Sequence, residues 1–429
     1  MPNFIDFCIQ LLAMILYQLF LLLFPLLAKC IAPFNGKVKQ WVTGQQNVWN
    51  EITILAKKIQ KPIIWIHCAS YGEFEQGLPI IEKIKADYPN YQVWLTFFSP
   101  SGYLHRKNDP NIDFTSYLPM DSATNAKRFF DLVQPKLVIF IKYEFWFYYL
   151  WEAKQRQIPT LLIAAIFRPN QIFFRWYGRF YKKMLSLFYA ILVQDENSKK
   201  LITPIAPSQQ IIITGDTRFD RVWKTAQSNF HFNWLQNLNP AKIVIAGSTW
   251  EKDHVILASL SERYTHLNWI IVPHHVDPKS IENCLKLFKN AITLSSFVST
   301  HPQTNHATVL IVDQIGLLRN LYRYAFITYI GGGFGAEGIH NVLEPAAFGK
   351  PVIWGPNDEK YMEASGLMNA GGGFKIHDEN SFSKTVDLLT EETEKYRKAC
   401  ESAANFITQN TGATQKTMKF IYENRLLTN

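Results

Sequence analysis

The sequence predicts an α/β protein in which two Rossmann-like domains face a cleft and an N-terminal membrane-anchor helix precedes them. Three observations predict this class. A long uncharged apolar run lies near the N-terminus, two series of short apolar strands alternate with helical stretches, and a polar connector separates the two series. Strands and helices that alternate at this spacing form βαβ units, and such units build parallel sheets.

The composition is that of a folded protein. The 429 residues are 48% hydrophobic and 18% charged, which excludes a largely disordered chain because a sizeable apolar core is available. The five cysteines have no CxxC spacing, so we expect neither a disulfide framework nor a metal site, and a reducing compartment fits best. The formal net charge of +9 favours an anionic partner.

The apolar run at residues 4–31 predicts a membrane anchor. Twenty-two uncharged residues separate Asp6 from Lys29, and about 20 apolar residues cross a bilayer as a helix. Lys29, Lys37 and Lys39 end or follow the run, so the positive-inside rule predicts a cytoplasmic body. A helix that lies in the interface, a cleaved signal peptide and a buried apolar helix are the alternatives.

The rest of the chain divides into two series of predicted strands. The first series comprises residues 62–67, 92–97, 137–141, 160–165, 190–194 and 210–214. The second series comprises residues 242–246, 269–272, 291–294, 309–312, 326–330 and 351–354. Helical periodicity marks 74–86, 124–133 and the tail 381–427, whereas the polar stretch 220–240 is predicted to be a connector.

We therefore predict four segments. They are an anchor at 1–35, an N-terminal Rossmann-like domain at 36–225, a C-terminal Rossmann-like domain at 226–400, and a C-terminal helix at 401–429 for which packing on the N-terminal domain is one arrangement.

A glycine-rich segment follows the strand at 326–330. Residues 331–338 read GGGFGAEG, and His340, Asn341 and Glu344 come soon after. Glycines at a strand end let the backbone approach a ligand, and the helix that follows would direct its positive end at a phosphate. The segment predicts a nucleotide site, with Glu344 on the face that would meet ribose hydroxyls. A glycine-rich turn with a capping Asn is the alternative.

The same glycines also match the dinucleotide pattern GxGxxG. Gly333, Gly335 and Gly338 have this spacing, but they follow a late strand and the next strand ends without an acidic residue. A dinucleotide site is therefore not predicted.

Two carboxylates follow strands of the first domain. Ser70, Gly72 and Glu73 come soon after the first strand, where Gly72 is expected to allow a sharp turn and Glu73 to begin a helix. Glu144 comes just after the third strand. The carboxyl edge of an open parallel sheet is where such folds bind ligands, so both residues predict acid–base chemistry. A first-turn Glu that only stabilises its helix is the alternative, and His67 is expected to be a packed strand residue.

Aromatic and basic residues alternate at 173–183, which read FFRWYGRFYKK. Rings at an interface with cations on phosphates suit a membrane surface. A nucleic-acid surface would look similar, but the anchor favours lipid. An exposed basic helix with a core stripe is the alternative.

These blocks together resemble a known family. The blocks are the apolar N-terminus, HCASYGE at 67–73, YEFW at 143–146, Arg168, GDTRFD at 215–220, AGST at 246–249 and HNVLEPAAFGKPV at 340–352. In this order they are similar to the 3-deoxy-D-manno-octulosonic acid (Kdo) transferases of lipopolysaccharide core biosynthesis, and the resemblance spans nearly the whole chain.

The resemblance implies a GT-B fold and an inverting transfer of Kdo from CMP-Kdo to a lipid A precursor, lipid IVA, at the cytoplasmic face of the inner membrane. It implies that Glu73 is the general base and Glu144 a second essential carboxylate. The implied donor residues are Ser248, Thr249, His274, Gly332, Gly333, Gly335, Gly338, His340, Asn341 and Glu344. The implied acceptor residues are Ser70, Gly72, Arg168, Arg175 and Arg218. No cofactor, no metal and no nucleic acid are expected, since CMP-Kdo is a substrate.

Three positions depart from the family pattern. His274 stands where many members have arginine, and if it substitutes for that arginine, donor binding is expected to weaken as pH rises above about 6.5. Ile339 replaces a glycine and Tyr71 a small aliphatic residue. Two other functions remain open, namely a GT-B enzyme that uses a UDP-sugar and a non-catalytic membrane-anchored protein that binds anions or lipid.

Overall fold

Two compact units make up the protein. The computed structural model describes residues 4–237, 243–300 and 309–428, with side chains from Leu11 onward. Unit 1 comprises Met1–Asp220 with Gly412–Asn429, and unit 2 comprises Arg221–Thr411. The last helix of the chain thus belongs to unit 1.

Unit 1 is built on a seven-stranded parallel sheet in the order β3-β2-β1-β4-β5-β6-β7. Its strands are β1 Ile63–Cys68, β2 Gln92–Phe97, β3 Phe114–Tyr117, β4 Pro135–Ile141, β5 Thr160–Ala165, β6 Ala190–Val193 and β7 Gln210–Ile213. The chain runs outward from β1 in one direction and returns to β4 on its other side. The border between β1 and β4 is therefore the topological switch point, where doubly wound sheets bind ligands.

The helices of unit 1 cover both faces of the sheet. They are α1 Phe4–Ile31, α2 Gly36–Ala56, α3 Tyr71–Asp87, α4 Pro100–Arg106, α5 Ala123–Val133, α6 Phe147–Gln155, α7 Arg179–Leu185, α8 Glu196–Ile202 and α18 Ala413–Glu423, with a short 3-10 turn at Ile172–Phe174. Buried aromatic rings fill one side of the sheet, where Trp65 contacts Phe129 and Tyr149. α18 packs against α3, and Asp220 accepts hydrogen bonds from the backbone of Gly412 and Thr414.

Unit 2 has a second seven-stranded parallel sheet, in the order β10-β11-β9-β8-β12-β13-β14. Its strands are β8 Ile243–Thr249, β9 Asn268–Pro273, β10 Ala291–Thr293, β11 Val309–Ile311, β12 Ile327–Ile330, β13 Val352–Trp354 and β14 Gly373–Lys375. The switch point lies between β8 and β12, which pair in parallel from Ile327 with Val244 to Ile330 with Gly247.

The helices of unit 2 complete the second doubly wound layer. They are α10 Glu251–Arg263, α11 Pro278–Leu287, α12 Leu294–Thr300, α13 Leu318–Leu321, α14 Leu343–Ala347, α15 Met362–Ala370, α16 Glu379–Glu391 and α17 Thr393–Asn410, with 3-10 turns at Asn233–Asn237 and Tyr322–Tyr324. α9 Thr217–Ala226 begins in unit 1 and ends in unit 2.

The predicted strands are confirmed within one or two residues at their ends, apart from β8, which continues to Thr249. Lys242 of the predicted strand 242–246, and residues 238–240 of the predicted connector, lie outside the described residues. The helical tail is confirmed as three helices.

Two strands are absent from the sequence-based prediction, and one helix contradicts it. β3 and β14 are edge strands whose sequences, FTSY and GFK, lack a continuous apolar run. The connector prediction at 220–240 is wrong at its start, because α9 extends to Ala226. The helix is amphipathic there, with Phe219 and Val222 buried.

α1 passes the length and composition test for a membrane span. The stretch Leu11–Ile31 has a mean hydropathy of 2.4. The anchor prediction is therefore supported only by the length and composition of one apolar helix.

Candidate active site

The predicted carboxylates of unit 1 follow the two strands that flank its switch point. β1 and β4 are adjacent parallel strands, with His67 beside Phe140. Glu73 follows β1 and Glu144 follows β4, so both lie beyond the same edge of the sheet. Burial raises the pKa of the Cys68 thiol, and the charges of Glu73 and Glu144 raise it further. Both carboxylates therefore lie within electrostatic reach of this thiol. The structure therefore brings the two carboxylates together.

Glu73 is held at the start of α3. Ser70 is the N-cap of this helix, and its oxygen accepts a hydrogen bond from the Gly72 backbone at 3.2 Å. The Ser70 hydroxyl donates to Oε2 of Glu73. The half-buried carboxylate is thus oriented by its own helix start and is available to accept a proton.

The expected sharp turn at Gly72 is wrong. Gly72 is an ordinary residue of the first turn of α3, its φ is not positive, and an added Cβ would meet only Ser70 Oγ at 3.8 Å. Glycine is therefore not required by the backbone, and its small size leaves open space next to Glu73.

Glu144 is fixed by two neighbours. It is 8% exposed, and its Oε2 accepts a hydrogen bond from Trp146 Nε1 at 2.7 Å. The same oxygen lies 3.0 Å from Nε2 of His67. Glu144 is therefore pre-positioned by groups that are packed in the protein.

His67 connects Glu144 to the core. It is fully buried, as expected, and its Nδ1 lies 2.8 Å from the hydroxyl of Thr96, which also accepts a hydrogen bond from Trp65 Nε1. If the Thr96 hydroxyl donates to Nδ1, then Nε2–H donates to Glu144, and every donor in this chain has an acceptor. Sequence reasoning missed this role because Thr96 comes from a different strand.

Two predicted acceptor arginines lie near the same site. Burial raises the pKa of Tyr143, and the negative charge of Glu73 raises it further. The positive charges of Arg168 and Arg218 lower it, so both arginines lie close to Tyr143. Arg218 also contacts Asp216, with Nε at 2.8 Å from Oδ2. Arg175 instead is exposed in the turn that follows the 3-10 helix at Ile172–Phe174.

Tyr71, a departure from the family pattern, is accommodated by α4. Its hydroxyl accepts a hydrogen bond from Arg106 at 2.9 Å, and the guanidinium lies over its ring at 5.2 Å from the centroid. The larger side chain is therefore packed beside the first turn of α3.

The backbone is strained at the strand ends of both switch points. Lys142, just after β4, has φ of 71°, and Ser248, near the end of β8, has φ of 53°. Positive φ is uncommon for residues other than glycine, and such strain clusters at functional sites. Lys142 lies two residues before Glu144, and Ser248 is itself a predicted donor residue.

The glycine loop of unit 2 is held by a buried carboxylate. Asp253, which is 1% exposed, accepts hydrogen bonds from the backbone of Gly332 and Trp250, each at 2.8 Å, and from the Tyr329 hydroxyl at 2.6 Å. Burial raises its pKa. Asp253 thus connects β12, the loop and the start of α10. In the sequence it can be recognised only as an acidic residue in the first turn of a helix.

Several glycines of the loop are needed by the loop itself. Gly332 has φ of 91°, and a Cβ there would lie 2.2 Å from the Gly338 carbonyl. A Cβ on Gly333 would lie 2.6 Å from the backbone of Gly355. Gly335 donates its amide to Gly332 and accepts a hydrogen bond from Asn357. The loop is therefore a packed structure in addition to a candidate ligand surface.

The helix expected to direct its N-terminus at a phosphate is short. α14 has five residues, Leu343–Ala347, and the side chain of Asn341, just before its N-cap residue Val342, accepts a hydrogen bond from the Leu343 backbone at 3.0 Å. The helix that the sequence predicts after the glycine segment is present but short, and the expectation that its N-terminus favours a phosphate stays a prediction. Ile339 is buried in the loop, and its amide donates to Asn357.

Three rings form a stack beside the loop. Trp250 stacks on His274 at 4.5 Å, and His274 stacks on His340 at 4.7 Å. Trp250 Nε1 donates to Nε2 of His340 at 3.0 Å. Burial and the neighbouring His274 lower the pKa of His340 to about 4.

His274 does not replace an arginine cation near neutral pH. Burial and the adjacent His275 lower its pKa below the usual value. A lowered pKa favours the neutral ring, so an effect of His274 charge on donor binding is expected at lower pH than an unperturbed histidine would give.

A cavity of about 440 Å³ opens beside this stack. Thr249 and Gly335 of the predicted donor residues line it, together with Trp250, Lys252, His275 and Asn283. Thr249 is buried and contacts Nε2 of His254 at 2.8 Å. A volume of this size suits a small molecule such as a nucleotide.

Glu344 has a different neighbour. Its Oε1 lies 3.5 Å from Nε of Arg319, and its charge raises the pKa of the buried Tyr322. The ribose contact expected for Glu344 therefore involves a residue that is already in an ion pair.

The chain is similar to known enzymes over most of its length. Residues 46–221 match the family model described as 3-deoxy-D-manno-octulosonic-acid transferase (kdotransferase). The 3-deoxy-D-manno-octulosonic acid transferase of Aquifex aeolicus is 29% identical over 77% of this chain and 87% of that protein. The enzyme of the same name from Chlamydophila psittaci is 27% identical over 83% of this chain and 84% of that protein.

A solved structure of a UDP-N-acetylglucosamine 2-epimerase has a TM-score of 0.58, with 14% identity, over 85% of this chain and 97% of that chain. At that identity the likeness establishes the fold, which is the GT-B arrangement of two Rossmann-like domains. The sequence similarities, by themselves, make the chain a homologue of the 3-deoxy-D-manno-octulosonic acid transferases and a glycosyltransferase.

Proposed function

We propose that this enzyme transfers Kdo from CMP-Kdo to a lipid A precursor, lipid IVA, in lipopolysaccharide core biosynthesis. The observation that carries the proposal is the pair of carboxylates at the switch point of unit 1, within a region that matches the Kdo transferase family. The named relatives support Kdo as the sugar.

Glu73 is the proposed general base. Its carboxylate accepts the proton of an acceptor hydroxyl as the hydroxyl oxygen forms a bond to the anomeric carbon of Kdo. The bond from that carbon to the phosphate oxygen breaks on the opposite face, and CMP leaves with the electron pair. A single displacement of this kind inverts the anomeric carbon. Ser70, which donates to Glu73, fixes the direction in which the base faces.

Glu144 is the proposed second carboxylate, held rigid by His67 and Trp146. A fixed negative charge beside the base suits the orientation of sugar hydroxyls and the stabilisation of an oxocarbenium-like transition state. Arg168 and Arg218, near Tyr143, are the proposed contacts for phosphate groups of the acceptor. Arg175 remains a candidate for lipid contact because it is exposed.

The donor is proposed to bind at the switch point of unit 2. The cavity beside Thr249 and Gly335 has the size for a nucleotide, and Lys252 supplies a cation to its wall. Ser248, His274, Asn341 and the remaining loop glycines stay proposed contacts. The transfer as proposed uses no metal, since amides and cations can stabilise the leaving phosphate.

The site of action is proposed to be the cytoplasmic face of the inner membrane. The support is the apolar helix α1 and the cations Lys29, Lys37 and Lys39 at or beyond its end, which suit the anionic surface of the cytoplasmic leaflet.

The experiment is transfer with Glu73→Gln, with Glu75→Gln as the matched control. Both residues lie on α3, but Glu75 pairs with Arg106 at 3.3 Å instead of contacting Ser70. With CMP-Kdo and lipid IVA, loss of a general base lowers kcat by about 10²–10⁴-fold, whereas Glu75→Gln is expected to stay near wild type. Mass spectrometry of the product counts the Kdo residues added.

Three results would reject parts of the proposal. Full activity of folded Glu73→Gln rejects the base. Transfer from UDP-sugars in preference to CMP-Kdo indicates another GT-B enzyme. Normal biological function after both Glu73→Gln and Glu144→Gln indicates a non-catalytic binding protein.

A further inference from the structure

The helix α1 has two unlike faces along its whole described length. The inner face is a stripe of buried or half-buried residues spaced three and four apart, namely Ala13, Met14, Tyr17, Leu21, Phe24, Pro25, Ala28 and, just past the helix, Ala32. The nineteen steps from Ala13 to Ala32, at 1.5 Å each, make this stripe roughly 28 Å long. That length is close to the hydrocarbon thickness of a bilayer, about 30 Å.

The inner face contacts the rest of unit 1 near both ends of the stripe. Near one end the Tyr17 hydroxyl donates to the buried Asp121 at 2.6 Å and accepts from the Phe147 backbone at 3.2 Å. Near the other end Phe24 contacts Trp41 and Phe98, with ring centroids 5.1 and 5.8 Å apart. The helix is therefore packed lengthwise on the body.

The outer face is apolar and exposed. It consists of Leu11, Leu12, Ile15, Leu16, Leu19, Phe20, Leu22, Leu23, Leu26, Leu27 and Ile31, and Phe34 beyond the helix is 91% exposed. A contiguous apolar surface of this extent marks an interaction site.

The surroundings of this face match a lipid headgroup layer. α7, which packs against α1, carries exposed Arg179 and Lys183, and Lys183 lies over the half-exposed ring of Trp151 at 5.4 Å. Trp176 is 79% exposed in the turn just before α7. Apolar residues flanked by aromatic rings and cations suit the surface of an anionic bilayer.

We propose that α1 lies flat in one leaflet, with its outer face in the hydrocarbon and its inner face on unit 1, and that it does not cross the membrane. A helix that crossed while packed in this way would carry its neighbour α7, with its cations, into the hydrocarbon, where charge is costly. The inference deepens the membrane attachment in the proposed function and rests on that attachment. It is independent of the donor and of the reaction.

This placement has a consequence for the acceptor. Phe98, which contacts Phe24 of α1, also packs on Trp146 with centroids 5.1 Å apart, and Trp146 donates to Glu144. Only two aromatic contacts separate the membrane helix from the candidate carboxylate. An amphiphilic acceptor can thus present its sugar at the site while its acyl chains stay in the same leaflet.

The decisive test is the side of the membrane on which the N-terminus lies. The full chain, with an epitope tag before Met1, is reconstituted in phosphatidylethanolamine–phosphatidylglycerol vesicles and treated with protease from outside. The flat helix predicts that the tag and the body are digested together. A tag that stays protected in vesicles whose body is digested overturns the inference. A protein that does not bind these vesicles at all overturns the membrane attachment itself.

Matched variants separate the two faces. Leu16→Gln and Leu23→Gln on the outer face are each expected to weaken vesicle binding roughly tenfold at an unchanged melting temperature. Tyr17→Phe on the inner face is expected to lower the melting temperature and to leave vesicle binding unchanged. If Tyr17→Phe has no effect on melting, α1 is not packed on unit 1 in the membrane-bound protein and the inference fails.

Discussion

Removal of the Asp253 carboxylate should destabilise unit 2 more than removal of any exposed helix cap. One side chain accepts three hydrogen bonds in a nearly water-free position, from Tyr329, Gly332 and Trp250. In Asp253→Ala all three donors lose their acceptor. A hydrogen bond to a charged group is worth about 1.5–3 kcal/mol, and such terms do not add fully. We therefore expect a loss of about 3–5 kcal/mol in the free energy of unfolding.

Asp253→Asn tests whether hydrogen bonding or charge is responsible. An amide oxygen in place of Oδ2 still accepts both backbone N–H groups, and the amide nitrogen in place of Oδ1 donates to the Tyr329 oxygen. The assistance of the charge is lost, and the buried Tyr329 hydroxyl, which donated to Asp253, loses its acceptor, so the expected cost is about 2–3 kcal/mol. Asp378→Ala is the control, because Asp378 caps the exposed start of α16 and such a cap is worth about 1 kcal/mol.

The assay is urea unfolding of the full chain in detergent, followed by tryptophan fluorescence, with the transition of unit 2 analysed separately if two appear. Because Asp253 fixes Gly332 of the loop, Asp253→Ala should also raise KM for CMP-Kdo. The reasoning is refuted if Asp253→Ala costs no more than Asp378→Ala, or if Asp253→Asn is as damaging as Asp253→Ala.

Three further predictions follow from the described contacts. His67→Ala should lower kcat about 10–100-fold, with partial rescue in His67→Gln, whose amide can still donate to Glu144; equal rates in both variants would show that His67 is only a packing residue. Gly72→Ala should leave the melting temperature unchanged or higher, since alanine favours helices by up to about 1 kcal/mol, while it raises KM for lipid IVA; an unchanged KM would show that no ligand uses the open space. Burial lowers the pKa of His254 to about 4, whereas an unfolded imidazole titrates near 6.5. The unfolded state therefore binds more protons between those values, and stability should fall as pH falls from 6.5 towards 4. In His254→Gln the melting temperature should depend less steeply on pH than in the wild type. An identical dependence would show that His254 does not cause the loss of stability at low pH.

Much of the fold could be predicted from local pattern, and the missed edge strand depends on a partner outside that pattern. Buried parallel strands such as Leu137–Ile141 are continuous apolar runs, which is why their positions were predicted. The edge strand Phe114–Tyr117 contains Thr115 and Ser116, and Ser116 is buried only because Trp94 of the neighbouring strand donates to it at 3.1 Å. No local pattern contains that partner.

The contacts of the candidate site are likewise partly local and partly between distant parts of the chain. Ser70 and Glu73 lie three residues apart, so their hydrogen bond follows from helix geometry and could be expected from the sequence. The contacts of His67 with Thr96 and Glu144 span 29 and 77 residues, and those of Asp253 with Tyr329 and Gly332 span 76 and 79. Such partners meet only because neighbouring strands of a sheet come from distant parts of the chain.

The sequence by itself determined the class of fold, the order of its strands and helices, and the residue types at the switch points, because hydrophobic periodicity and strand-end motifs are properties of neighbouring residues. Tertiary structure decided which side chains hold the carboxylates in place, which glycines serve the loop itself, and how α1 divides into an outer and an inner face. Those properties depend on burial and on partners far away in the chain, and an apolar run reads the same whether lipid surrounds it or a protein surface covers half of it.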